Sequence, residues 1–186
     1  QIYEQQLLLK KRGFPLWIPE PNKRLPMVYQ RTGVAIGDVG TYTASGGFSF
    51  LFSICLPRDH PYQPDDLPED FVPIDPPLAS RDLREFSEFK VGTYLASETI
   101  KAVKSSQPAT YTAAAEGAIL TIPEGAVSYD LENIPRIRGY AAENIESWYR
   151  YVNGPRGREA KNGEVRLVIG CDKTTSWGMA VISGQS

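Results

Sequence analysis

Between Pro57 and Pro77 the chain reads PRDHPYQPDDLPEDFVPIDPP, with seven prolines and five aspartates in 21 residues. Each proline removes a backbone donor and pushes the residue before it toward extended geometry, so neither helix nor sheet can run through the stretch. It is expected to be a long acidic loop, and loops beyond about 12–15 residues are usually functional or mobile. Regular structure must therefore be built on either side of it. Upstream, FPLWIPEPNKRLP holds four prolines in 13 residues. It reads as an extended arm whose apolar anchors Phe14, Leu16, Trp17 and Ile18 pack across a surface. Ahead of it, Ile2 to Lys11 can form a short helix that Gly13 and Pro15 end, giving a helix and arm over residues 1–30.

The strongest strand signal is VAIGDVGTYTASGGFSFLFSICLP. Two apolar runs flank Ser45-Gly46-Gly47, which predicts a hairpin. Its second strand is apolar on nearly both faces and is expected to be central in a sheet, with Pro57 closing it. A short helix is expected over Arg81–Phe89. FKVGTYLASETIKAV and TYTAAAEGAILTIPEG read as further strands, the latter closed by the turn Pro123-Glu124-Gly125.

The clearest helix covers about 134–152. Asn133 suits its N-cap and Pro135 its first turn. Ile137, Ala141, Ile145, Trp148 and Val152 recur at spacings of 4, 4, 3 and 4, one apolar stripe. Asn153-Gly154-Pro155 stops it. A strand from Val165 to Ile169 follows, then the polar connection GCDKTTSWG, read as a hairpin turn whose side chains cap their own backbone. A last strand begins at Trp177. The class is α+β: an antiparallel-rich sheet, one main amphipathic helix and long proline-rich loops.

A chain of 186 residues is expected to form a single domain over 1–186. Its 41% hydrophobic and 11% aromatic content can bury a core without staples. A net charge of −2 supplies no global field to draw nucleic acid or an anionic membrane. No apolar run approaches the roughly 20 residues that cross a bilayer. Leu7-Leu8-Leu9 followed by Lys10-Lys11-Arg12 reverses the order of a secretory signal, so the cytosol is expected, although a chain opening on Gln1 is also compatible with a segment removed ahead of it. Cys55 and Cys171 then read as reduced thiols, with a bridge between them the alternative.

RGFPLWIPEPN, GVAIGDVG, FLFSICLP, GAILTIPEGA, SWYRYVNGPRGR and GCDKTTSWGMA together resemble a motif set that recurs in uncharacterised proteins of mushroom-forming fungi. The likeness runs from about Arg12 to Val181. Members of that family often continue past the SWG strand, so the resemblance implies a short relative or a trimmed chain. It implies no activity, ligand or catalytic residue.

His60 is the one histidine. Catalysis by a Ser-His-Asp or Cys-His arrangement would need it to meet a nucleophile such as Cys171, with Asp172 beside it. His60 with Asp65 and Asp66 could also hold a hard divalent cation, whereas one histidine and two distant cysteines do not make a closed zinc site. The bland alternative is a solvated acidic loop. GDVG and SGG lack the following helix that a phosphate cradle needs. Arg156, Arg158 and Lys161, with Lys173 further on, are the best anion-binding cations, and Tyr149 and Tyr151 could stack bases. The same cations also complement a helix C-terminus.

These observations favour a non-enzymatic binding or interaction module for an unknown protein or small molecule, acting through the arm and the loops at one sheet end. A small hydrolase or nuclease using His60 with acidic residues or Cys171 is the first alternative. Nucleic-acid or anion binding through Arg156, Arg158 and Lys161 is the second. No cofactor, metal or membrane is implied, and the oligomeric state is left open.

Overall fold

The computed structural model describes residues 2–103, 110–113 and 116–183. In chain order these form α1 (Ile2–Leu8), α2 (Met27–Thr32), β1 (Asp38–Tyr42), β2 (Phe48–Ser53), β3 (Leu83–Phe89), β4 (Thr93–Ala96), β5 (Ile100–Val103), β6 (Thr110–Ala113), β7 (Gly117–Ile122), β8 (Ala126–Leu131), α3 (Ile134–Asn153), β9 (Val165–Leu167), β10 (Gly170–Lys173) and β11 (Gly178–Ile182). The fold is α+β, with antiparallel three-stranded sheets ordered β2–β1–β9, β10–β8–β3 and β11–β7–β4 and a two-stranded pair β5–β6. The chain divides into two compact units, one of Gln1–Trp17, Ser87–Val127 and Asp172–Ser186, the other of Ile18–Phe86 and Ser128–Cys171.

The second unit holds the larger core. The predicted hairpin is β1–β2, running from Asp38↔Ser53 to Tyr42↔Phe48 with a register shift between Val39 and Gly40. The shift leaves Leu51 without an opposite residue, and Phe50, Leu51 and Phe52 are all buried. Gly40 must lack a side chain, because a Cβ there would run into the Ser49 carbonyl and the Phe48 ring. Against this sheet pack Trp148, Tyr151 and Val152 of α3 and Phe71 and Ile74 of the proline-rich loop. Phe52 meets Phe71, Trp148 and Tyr151 edge-on, with ring centroids 5.7–5.9 Å apart.

β2 is an edge strand, not the central one its apolar faces predict. Its open edge is covered by the loop itself. Gln63 is buried, and its Oε1 accepts from the Ser53 N–H while its Nε2 donates to the Ser53 and Leu56 carbonyls. Further along, Ile74 N–H donates to the Ile54 carbonyl. A side-chain amide thus supplies the ladder partner a neighbouring strand would have given, which keeps the edge from pairing with other chains.

The proline-rich loop is therefore pinned. The Tyr151, Ser147 and Tyr140 hydroxyls donate to the carbonyls of Asp66, Glu69 and Val72, and Arg58 donates to that of Phe71. The α3 stripe is rotated from expectation: Tyr151 is buried, whereas Ile145 is 39% exposed. The helix forecast over Arg81–Phe89 is instead a single 3-10 turn, Ser80–Asp82, followed by β3. Leu83, Phe86 and Phe89 recur every three residues, a spacing that suits a helix, but in the structure the segment pairs in the sheet beside β8, where Phe86 and Phe89 are its more buried residues.

In the first unit, α1 lays Tyr3 and Leu7 on Ala118, Leu95, Leu120 and Met179 of the β11–β7–β4 sheet. Arg12 follows the helix. Its guanidinium pairs with Glu88 at 2.5 Å and Asp172 at 2.9 Å and lies over the Phe89 ring. In GCDKTTSWG the expected hairpin turn is absent. Gly170–Lys173 is strand β10, next to β8, whereas β11 pairs with β7. The connection shrinks to Thr174–Trp177, where the Thr174 hydroxyl donates to the Gly125 carbonyl and accepts from Ser176 N–H.

Candidate functional site

The segment Asn22–Thr32 is polar and basic except at a few positions, and from Pro21 to Gly37 the chain has no acidic residue. It is held by its own polar groups. Asn22 Oδ1 accepts from Arg24 N–H at 2.9 Å, and the Gln30 amide donates to the Lys23 and Leu25 carbonyls at 2.9 and 2.7 Å. Pro26 at the N-cap starts α2, and Gly33, at φ 69°, ends it by donating to the Tyr29 carbonyl. Only Tyr29 is fully buried. Met27 and Val28 are 60% and 56% exposed, with Lys23, Arg24 and Arg31 exposed around them. None of these three cations enters an ion pair recorded among the described residues.

Beneath this face Tyr29 reaches a buried polar centre. Its ring packs on Phe50 at 4.7 Å and edge-on to Tyr62 at 5.6 Å. Its hydroxyl donates to Asp38 Oδ2 at 2.8 Å, and the Ala35 N–H donates to the same oxygen at 2.8 Å. Asp38 is 2% exposed, so its carboxylate depends on these donors. Burial, then the nearby Asp38 charge and the hydrogen bond to it, push the Tyr29 hydroxyl well above its usual range.

Cys55 lies against Gly37, whose φ of 92° and missing side chain make room for the sulfur. Burial foremost, then Asp38, raises the Cys55 thiol to about 11, with Arg136 opposing. A thiol so placed is protonated and weakly nucleophilic at neutral pH. Cys171 donates to the Val34 carbonyl at 3.6 Å, and both cysteines are reduced thiols.

The sequence-predicted site residues are largely engaged in holding the fold. His60 Nδ1 accepts from the Tyr62 N–H at 3.2 Å, and its ring stacks edge-on to Tyr62 at 4.5 Å. The rings of His60, Tyr62 and Tyr29 thus form a path toward Asp38, but edge contacts between rings carry no proton. Asp172 is paired with Arg12. Asp66 pairs with Arg156 at 3.5 Å, and Asp65 is exposed. Among the described residues no group of three or more His, Cys, Asp or Glu side chains is placed to hold a metal ion.

The expected anion cluster is spread. Arg156 lies over the Tyr151 ring as well as beside Asp66. Arg158 and Lys161 are exposed, and Lys173 is half-buried. Tyr151 is in the core, and Tyr149 is partly buried against that core, with its hydroxyl donating to the Lys161 carbonyl and accepting from Gly163 N–H. What sequence reasoning missed is the basic face. Its signal in the sequence is an acid-free run with three cations, set among prolines that also suit a packed arm.

No protein-family model, curated protein or solved structure matches the chain. No helix among the described residues is long and apolar enough to cross a membrane.

Proposed function

We propose that the chain is a binding module that captures an acidic protein segment carrying apolar side chains on the face Asn22–Thr32. The observation that carries this reading is the combination there of three cations outside the ion pairs of the described residues with two exposed apolar side chains on a locally hydrogen-bonded backbone. Preorganisation lowers the ordering cost of binding, and local charge complementarity sets partner choice. A lipid surface fits less well, because α2 has six residues and interfacial helices work through a long apolar face. Two thiols suit a reducing compartment, which supports the cytosol as the place of action.

The test is fluorescence anisotropy with a labelled peptide of alternating glutamate and leucine. Binding is expected to weaken with added salt, and Arg24→Glu with Arg31→Glu should weaken it roughly tenfold, the effect of losing two exposed charge contacts. Met27→Ser with Val28→Ser should weaken it as well. Peptide binding indifferent to both double variants overturns the reading, as does a preference for phosphatidylserine vesicles over the peptide.

A further inference from the structure

The proline-rich loop presents the reciprocal chemistry. From Pro61 to Pro77 it contains no lysine or arginine, and Asp65, Asp66, Glu69 and Asp70 fall within six residues. Val72 beside them is 62% exposed. This acidic ledge is as firmly held as the basic face. Phe71 and Ile74 are sunk in the core, and three hydroxyls of α3 hold the carbonyls of Asp66, Glu69 and Val72. Both surfaces belong to the same unit, and the ion pair recorded for the ledge is Asp66 with Arg156, not with Lys23, Arg24 or Arg31.

Building on the basic face as a binding surface, we propose that its occupant is the acidic ledge of a second copy of this chain. Charge complementarity decides the choice of partner: three cations and two apolar side chains on one face meet three exposed carboxylates, those of Asp65, Glu69 and Asp70, and Val72 on the other. Each copy carries one of each surface, so the contact is heterologous. Such contacts extend head to tail or close into a ring. Its strength falls as salt screens the exposed charges.

Sedimentation velocity across a wide range of protein concentration, at low and at high salt, tests this. The expected result is a mass that grows with concentration at low salt and returns to the monomer at high salt. Arg24→Glu with Arg31→Glu leaves two acidic surfaces and should be monomeric. Asp65→Lys with Glu69→Lys and Asp70→Lys leaves two basic ones and should be monomeric too. Mixing the two variants should restore association, because each then offers the other an opposite face, and this also shows that both are folded. A wild-type chain that stays monomeric at low salt overturns the proposal, as does association that neither variant alters or that mixing does not restore. A monomeric chain that still captures the glutamate–leucine peptide overturns self-association alone and leaves the binding-module reading standing.

Discussion

A carboxylate as buried as Asp38 is tolerated only because donors are built around it, and Tyr29 supplies one of them with a side chain reaching in from another element. Removing that hydroxyl leaves the shape of the core intact and takes away a charge-assisted hydrogen bond. Tyr29→Phe is expected to lower unfolding free energy by about 2 kcal/mol, the range for a bond to a charged group. Urea denaturation should show the midpoint falling with the m-value unchanged. Because Tyr29 is also the one fully buried residue of α2, amide exchange over Met27–Thr32 should quicken in the same variant. A change within the scatter of ordinary surface substitutions, about 0.5 kcal/mol, would show that Asp38 does not rely on this donor.

At the scale of elements, Gln63 makes the proline-rich loop part of a sheet. Replacing it with alanine strips two hydrogen bonds from the open edge of β2 and one from the Leu56 carbonyl beyond it, and leaves the Ser53 N–H and carbonyl buried and without these partners. A loss of about 2–3 kcal/mol is expected, together with faster proteolysis within 57–77. An unchanged cleavage rate would argue that Phe71, Ile74 and the α3 hydroxyls hold the loop without Gln63. None of this was legible in the sequence, since a glutamine among prolines looks like any solvated loop residue. The main helix was legible because periodicity and caps agreed, yet its burial was misjudged at Ile145. The true stripe swings toward Tyr151, whose ring fills space beside Phe52. Ile145→Lys should therefore be nearly neutral, whereas Ile137→Ala should cost about 2–5 kcal/mol, and thermal denaturation of both variants separates the two assignments. The GCDKTTSWG stretch failed as a turn for a related reason. Its polar residues are outward-facing partners along β10, such as Asp172 for Arg12, and a three-residue β9 leaves room for a new strand. The apolar part of the candidate face is not legible in the sequence, because exposure of Met27 and Val28 depends on which side of α2 Tyr29 anchors.

For the whole molecule, burial acts on a set of weak acids in one direction. It lifts the Cys55 thiol to about 11, and it lifts Tyr3, Tyr140 and Tyr151 to about 12 from an ordinary 10.0. Tyr29 and Tyr42 are raised as well. Each of these groups is neutral in the folded chain at a pH where the unfolded chain has already ionised. The native state therefore binds more protons across that window, and stability falls as pH rises. The contribution is intact below the unfolded pKa of each group and is spent by its folded pKa. The thiol should act first, between pH 9 and 11, at about 1 kcal/mol for each pH unit, and the tyrosines should add to the slope above pH 10. The acid side has a different character. Asp82 is held below the usual carboxylate range by the Asn133 amide first, then by the Ala79 N–H and Arg136, so its contribution is present above the unfolded pKa and disappears only as pH drops through the depressed folded value. Thermal melts from pH 2 to 11 should give a plateau through neutrality, a shallow acid shoulder that opens below about pH 4 and a steep alkaline fall. Cys55→Ala should delay the onset of that fall to above pH 10 while leaving the acid side unchanged. A melt curve as shallow above pH 10 as below pH 5 would mean that the buried hydroxyls ionise as readily in the folded chain as in the unfolded one.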